Sequence, residues 1–84
     1  MSVRRTPTGA MLLRLRNSRG MTQQKCAEKM DCEEVNWRKW ELGLRAPSLK
    51  SLAYIVLTLD LNSAELNELV MSSLYTKQPE GSNG

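Results

Sequence analysis

The side chains with the clearest capacity for chemistry lie between Met21 and Pro47. Glu34, Val35 and Lys39 share the outward face of a short predicted helix. In the major groove of DNA, an ammonium group donates to guanine O6 and N7, and a carboxylate accepts from the cytosine amino group. An aliphatic side chain there contacts the thymine methyl. These three residues are therefore candidates for contacts with base edges.

The elements around them have an order that would place this face against a duplex. Thr22 is a natural N-cap for a helix over Gln23–Met30, and Asp31 with Cys32 forms a polar break. A second helix follows over Glu34–Leu42 and ends at Gly43, and a basic loop comes next. Two short helices joined by a tight break are typical of a helix-turn-helix, whose second helix lies in the major groove.

The rest of the chain predicts three more helices and no strand. We expect a flexible basic arm over residues 1–9, a helix over Ala10–Ser18 that ends at Gly20, and a disordered tail over residues 76–84. Ser48 and Ser63 are expected to cap a fourth and a fifth helix. The predicted fold class is all-α, with five helices in one domain over residues 10–75.

Composition limits the kinds of site that the chain can hold. It has 84 residues, no His and two Cys, which is too few ligands for a typical zinc site, so we expect no metal and no cofactor. Cys26 and Cys32 fall at apolar positions and are interpreted as buried thiols, with a disulfide left open. No apolar run approaches the length of a membrane span and no signal peptide is visible, which favours a cytoplasmic protein without membrane contact.

Charge is distributed unevenly along the chain, whose net charge is +3. Residues 1–20 carry five Arg and no acid, residues 21–46 are balanced, and residues 47–84 hold two bases against four acids. This favours an anion-facing side near the N-terminus, although an unevenly charged solvated surface would give the same pattern.

From about Leu12 to Leu69 the chain resembles the lambda-repressor-like helix-turn-helix family of Cro and Xre type. The matching residues are Leu12, Leu15, Arg16, Gly20, Met21, Thr22, Gln23, Ala27, Trp40, Glu41, Gly43, Pro47, Ser48, Leu49 and Leu52. The resemblance implies a five-helix bundle that binds double-stranded operator DNA as a homodimer. It also implies that Gln23 holds a phosphate at a helix N-terminus and that Arg16 pairs with Glu41.

Contacts to the sugar-phosphate backbone are expected around the base-reading face, where they orient a protein without specifying sequence. The candidates are Thr22, Gln23, Asn36, Arg38, Gly43, Leu44, Arg45 and Ser48, with Gly43 and Leu44 contributing backbone amides. Arg4 and Arg5 on the arm are candidates for further contacts, or are simply part of a charged tail.

Two features of the predicted second helix of the motif have competing interpretations. Trp37 and Trp40 could stack on bases, but their spacing and the motif favour the core. Glu33 and Glu34 are acidic where polar or basic residues are common in the family. Glu33 is interpreted as a cap, while Glu34 either stabilises the helix dipole or contacts a base.

The fifth helix carries an apolar stripe that is the predicted dimer interface, Leu66, Leu69, Val70 and Leu74. The same stripe could instead close the core of one copy.

The leading functional hypothesis is a sequence-specific transcription regulator, a repressor of the kind found in phages and other mobile elements. We expect no small-molecule ligand, because the chain has no room for a ligand-binding domain. The alternative is a protein-binding module, an antitoxin or adaptor on the same scaffold. We do not expect an enzyme, because there is no His, no glycine-rich phosphate loop and no base beside Cys26.

Overall fold

Five α-helices and no strand make up the part of the chain that the computed structural model describes, residues 6–76. They are α1 (Pro7–Ser18), α2 (Gln23–Met30), α3 (Glu34–Leu42), α4 (Leu49–Thr58) and α5 (Ser63–Thr76). The prediction of an all-α fold is confirmed, as are the bounds of α2 and α3. No helix within residues 6–76 is both long and apolar enough to cross a membrane.

Helix α1 begins three residues earlier than the sequence analysis placed it. Thr6 is the N-cap, its hydroxyl accepts from the Gly9 amide at 3.0 Å, and Pro7 occupies the first turn. Proline suits that position because its fixed φ is helical and the missing N–H has no intrahelical partner there. Thr6 and Pro7 are therefore a start signal, and the assignment of residues 7–9 to a flexible arm is wrong. Residues 1–5 and 77–84 lie outside the described residues.

The breaks between helices rest on left-handed residues. Gly20, Asp31 and Gly43 have φ of 63°, 56° and 79°, as their positions after α1, α2 and α3 predict.

Asn62, and not Ser63, caps α5. Its Oδ1 accepts from the Glu65 amide at 2.8 Å, and the Glu65 carboxylate accepts from the Asn62 amide at 3.1 Å. This reciprocal pair is a capping box, which satisfies two backbone donors at once. Ser63 is instead the first residue of the helix.

The core lies where α1 packs against α3 and α5 and where α2 packs against α3. Its buried hydrophobic residues are Met11, Leu12, Leu15, Cys26, Ala27, Trp37, Trp40, Ile55, Leu59 and Leu69. Both cysteines are free thiols, Cys26 buried and Cys32 half-buried, and burial raises the pKa of each. The interpretation of the cysteines as thiols is therefore confirmed.

Arg19 ties α1 to the turn between α4 and α5. Its Nε donates to the Leu59 carbonyl at 2.7 Å, and its Nη2 donates to Glu65 at 2.8 Å. The hydrogen bond to Glu65 raises the pKa of the guanidinium. The Arg19 side chain thus folds back against the protein and satisfies a carbonyl at the end of α4.

Candidate nucleic-acid interface

Helix α3 is anchored by one side and open on the other. Trp37 is completely buried and Trp40 is 8% exposed, and their ring centroids lie 5.8 Å apart in an edge-to-face arrangement. Their assignment to the core is confirmed, so neither ring is available for stacking on a base.

The open side of α3 carries the three candidates for base contacts. Glu34 is exposed, Val35 is 39% exposed and Lys39 is half-buried. Glu34 lies 3.7 Å from Arg38, one helical turn further along. The acid is therefore partly neutralised by its own helix, and Arg38 stands beside the base candidates.

Glu33 occupies the N-cap position of α3, but its side chain makes no capping hydrogen bond. Glu33 is the N-cap by its backbone conformation, as the sequence predicts, but the prediction that its carboxylate caps the helix is wrong. A glutamate has one more methylene than aspartate, which is among the preferred capping residues. Glu33 therefore presents an exposed negative charge at the start of the helix.

A buried carboxylate joins α3 to α1 and α2. Glu41 is 1% exposed and accepts from Arg16 Nε at 2.6 Å, from Arg16 Nη2 at 3.1 Å and from Gln23 Nε2 at 2.9 Å, and also from Trp37 Nε1. Burial by itself raises the pKa of Glu41, but the hydrogen bonds from Arg16, Gln23 and Trp37 outweigh it and hold the pKa below its usual range. The pair between Arg16 and Glu41 that the resemblance implies is present.

The N-terminus of α2 presents free backbone donors beside polar side chains. Thr22 Oγ1 accepts from the Lys25 amide at 3.0 Å, and the first intrahelical bond runs from the Cys26 amide to the Thr22 carbonyl. The amides of Gln23 and Gln24 therefore precede the helical ladder. A shallow polar depression at this point is lined by Thr22, Gln24, Lys25 and Glu28.

Gln23 itself is held by the buried carboxylate. Its side-chain nitrogen donates one hydrogen bond to Glu41, which fixes the side chain at the junction of α2 and α3. A primary amide has a second N–H, and that one remains for an anion. The Gln23 contact that the resemblance implies would thus combine one side-chain N–H with the helix amides.

The backbone amides of the loop after α3 bond to the helix itself, which the sequence analysis did not predict. The amides of Gly43 and Leu44 donate to the carbonyls of Trp40 and Lys39, at 3.2 and 2.9 Å, and close the end of α3. They are not available to a phosphate, so the predicted backbone contacts of Gly43 and Leu44 are wrong. A left-handed glycine after a helix typically forms such bonds, so the predicted helix end at Gly43 already implies that these amides are engaged.

Side chains of the loop do converge beside α3. Asn36 and Trp40 of α3 line a second shallow depression together with Arg45, Ala46 and Ser48. Arg45 and Ser48 are exposed, and Ser48 Oγ also caps α4 by accepting from the Ser51 amide at 3.1 Å. Three of the predicted backbone contacts therefore share one surface.

The predicted arm contacts, Arg4 and Arg5, lie outside the described residues. The first described residue after them is Thr6, and it lies close to Gly43. A Cβ added to Gly43 would lie 2.8 Å from the Thr6 methyl group. The start of α1 therefore lies against the end of α3.

The predicted dimer stripe on α5 divides into two kinds of residue. Leu69 is 1% exposed and belongs to the core of its own copy, so its assignment to the interface is wrong. Leu66, Val70 and Leu74 are 41%, 48% and 62% exposed, respectively. Leu69 lies one position before Val70 and thus about 100° around the helix, toward α1.

Comparison of the chain with protein-family models, with curated proteins and with solved structures finds no match. The functional interpretation therefore depends on the geometry of the residues described above.

Proposed function

We propose that the chain is a sequence-specific DNA-binding regulator of transcription, a repressor, in which α2 and α3 act as a helix-turn-helix. The observation that carries this proposal is the asymmetry of α3. Trp37, Trp40 and Glu41 are buried on one side of the helix, whereas the side with the exposed Glu34 and Val35 and the half-buried Lys39 is only partly covered. Helix α3 would lie in the major groove, which at about 12 Å is wide enough to admit one α-helix.

Two polar depressions support this orientation. One lies at the N-terminus of α2, and the other lies beside α3 at the loop. Trp40 lines the depression at the loop, whereas the next residue, Glu41, accepts a hydrogen bond from Gln23 at the start of α2. Neighbouring residues of a helix project about 100° apart, so the loop and α2 lie on different sides of α3. The depressions thus flank the helix from different directions, as contacts to the two phosphate strands of one groove require.

The charges near α3 favour binding to a specific DNA sequence over binding to DNA of any sequence. Lys39 and Arg45 make no ion pair within residues 6–76, so their charge is available to DNA. Glu33 and Glu34 repel phosphate at the other end of the helix. Their repulsion lowers affinity for arbitrary sequences, whereas a cytosine amino group opposite Glu34 would compensate for it.

Arg4 and Arg5 are proposed to add contacts from the chain that precedes Thr6. Because Thr6 lies against Gly43, this chain begins beside the loop that is proposed to contact phosphate. Basic arms of other DNA-binding domains reach flanking grooves from similar points.

Selection from random duplex DNA, followed by salt titration on the enriched sequence, tests the proposal. We expect palindromic sites with half-site centres about 34 Å apart, as two copies on one face of the duplex require. With about six phosphates contacted, affinity should fall about 10³-fold between 50 and 200 mM salt. Failure to enrich any sequence would contradict the proposal.

Replacing Lys39 with Ala should weaken binding to the selected site by about 1–3 kcal/mol and relax the preference at one base pair, because the ammonium group would donate to a guanine. The matched control is Arg14→Ala, which also removes one positive charge but lies with Glu68 on the α1–α5 side. Affinity and site preference are measured by titration against the selected site and its single-base variants. A uniform loss over all variants would assign Lys39 to phosphate instead.

A protein-binding module is the second candidate, and the exposed acids at the start of α3 favour it. In that case α3 would face a basic partner. Weak, sequence-independent DNA binding in the selection experiment would support this alternative.

A further inference from the structure

The middle of the open side of α3 is defined by the residues that are buried on its other side. Counted around the helix from Val35, Trp40, Trp37 and Glu41 project at about 140°, 200° and 240°. Their mean direction is almost opposite to Val35. Val35 therefore projects from the middle of the open side.

Two cations lie on either side of Val35. Lys39 projects about 40° from it in one direction, and Arg38 projects about 60° from it in the other. Glu34 projects about 100° from Val35, beyond Arg38. Arg38 is therefore closer to the middle of the open side than Glu34, which lies nearer its edge.

Arg38 and Glu34 form an ion pair across one helical turn. Arg38 Nη2 lies 3.7 Å from Glu34 Oε2, and the side chains are 50% and 43% exposed. At this distance the groups attract each other without a hydrogen bond, and neither side chain makes one elsewhere within residues 6–76. The N–H donors of the guanidinium and the acceptor sites of the carboxylate thus remain for a third group.

A contact between Arg38 and phosphate has less support than a contact with a base. The two polar depressions that flank α3 are the places proposed for phosphate, and the residues that line them do not include Arg38. The neighbouring carboxylate also opposes a phosphate at this guanidinium, since both are negative. A donor beside an acceptor instead matches a surface that presents acceptors beside a donor.

We propose that Arg38 and Glu34 together read one G·C base pair. Arg38 donates to guanine O6 and N7, and Glu34 accepts from the amino group of the paired cytosine. These groups are the acceptors and the donor that a G·C pair presents in the major groove. An A·T pair in the same place would turn the adenine amino group toward the guanidinium and thymine O4 toward the carboxylate. The inference rests on the proposed function and deepens it, because it names a base pair that α3 reads.

Titration of the full chain against the selected site and its single-base variants tests this inference. We expect one G·C position at which Glu34→Gln and Arg38→Ala each reduce the discrimination against A·T by about 5- to 150-fold. The double variant should lose little more than the more harmful single variant, because both side chains act on one base pair. This position should differ from the one that responds to Lys39→Ala, since the two cations lie on opposite sides of Val35.

The ion pair between Arg14 and Glu68 supplies the matched controls. It is also exposed, at 65% and 51%, but it lies on the α1–α5 side. Arg14→Ala and Glu68→Gln remove the same charges there and should leave the discrimination unchanged at every position. Circular dichroism shows whether each variant is folded.

Salt dependence separates the base pair from phosphate. If Arg38 reads a base, Arg38→Ala should leave the slope of log affinity against log salt unchanged. A uniform loss over all sites, with a slope reduced by about 0.9, would place Arg38 on phosphate and overturn the inference.

Two further outcomes would overturn the inference. Loss of preference at two different base pairs would show that Glu34 and Arg38 act separately, and unchanged discrimination in both variants would show that neither reads a base. In both cases the wild type still has a selected site, so the proposed function stands. If the wild type enriches no sequence, the proposed function fails and this inference fails with it.

Discussion

Replacing Glu41 with Ala should lower the free energy of unfolding by about 3–5 kcal/mol, the usual cost of removing one partner of a buried ion pair. The Arg16 side chain is only 15% exposed, and it would lose both of its bonds to the carboxylate. The completely buried Trp37 would be left with an unsatisfied indole N–H, which adds a further penalty. Urea unfolding monitored by circular dichroism measures the loss.

Two further variants separate the charge of Glu41 from its hydrogen bonds. Glu41→Gln keeps an acceptor for Trp37 but removes the negative charge opposite Arg16, so it should be less destabilising than Glu41→Ala. Adding Arg16→Met to either variant should cost less than Arg16→Met costs in the wild type, because the partner is already lost. Equal stability of Glu41→Ala and the wild type would contradict the assignment of Glu41 as the junction of α1, α2 and α3.

The same carboxylate predicts how stability depends on pH. Because hydrogen bonds from Arg16, Gln23 and Trp37 hold the pKa of Glu41 below its usual range, its ionised form is favoured by folding. This contribution is complete above the pKa of an unfolded glutamate and is lost as pH falls through the lower pKa of the folded state. Unfolding midpoints should therefore decrease below about pH 4, and less steeply in Glu41→Gln than in the wild type.

Local signals allowed the elements nearest the proposed interface to be predicted from sequence. The bounds of α2 and α3 follow from Thr22, Asp31 and Gly43, each of which acts within a few residues of its own position. The burial of Trp37 and Trp40 follows from helical spacing together with the motif. These features depend on short-range geometry, which the order of residues determines directly.

What could not be predicted depends on neighbours that are distant in sequence. Leu69 and Val70 belong to the same apolar stripe, and only the packing of the neighbouring helices determines that Leu69 is buried and Val70 exposed. Leu49 is one of the apolar residues that carry the family resemblance, yet it is 84% exposed. Helical periodicity gives the direction of an apolar face but not the extent to which another helix covers it.

Replacing Gly9 with Ala should destabilise the protein by about 3 kcal/mol, although alanine is the better helix former. A Cβ at position 9 would lie 2.8 Å from the Trp40 carbonyl oxygen and closer still to that of Glu41. Both oxygens belong to the backbone at the end of α3, so no side chain can rotate away. Helices α1 and α3 would have to separate, and that movement would also strain the bonds between Arg16 and Glu41. Thermal and urea unfolding measure the effect.

Gly20→Ala is the matched control, because it adds the same methyl group where nothing lies within 4 Å. Gly20 has a φ of 63°, so alanine there costs only the conformational penalty of about 1–2 kcal/mol. We therefore expect Gly9→Ala to be the more destabilising of the two, even though Gly9 is helical and Gly20 is left-handed. The reverse order would show that α1 can move away from α3 at little cost, and that the packing of α1 does not fix the position of the proposed DNA-reading helix.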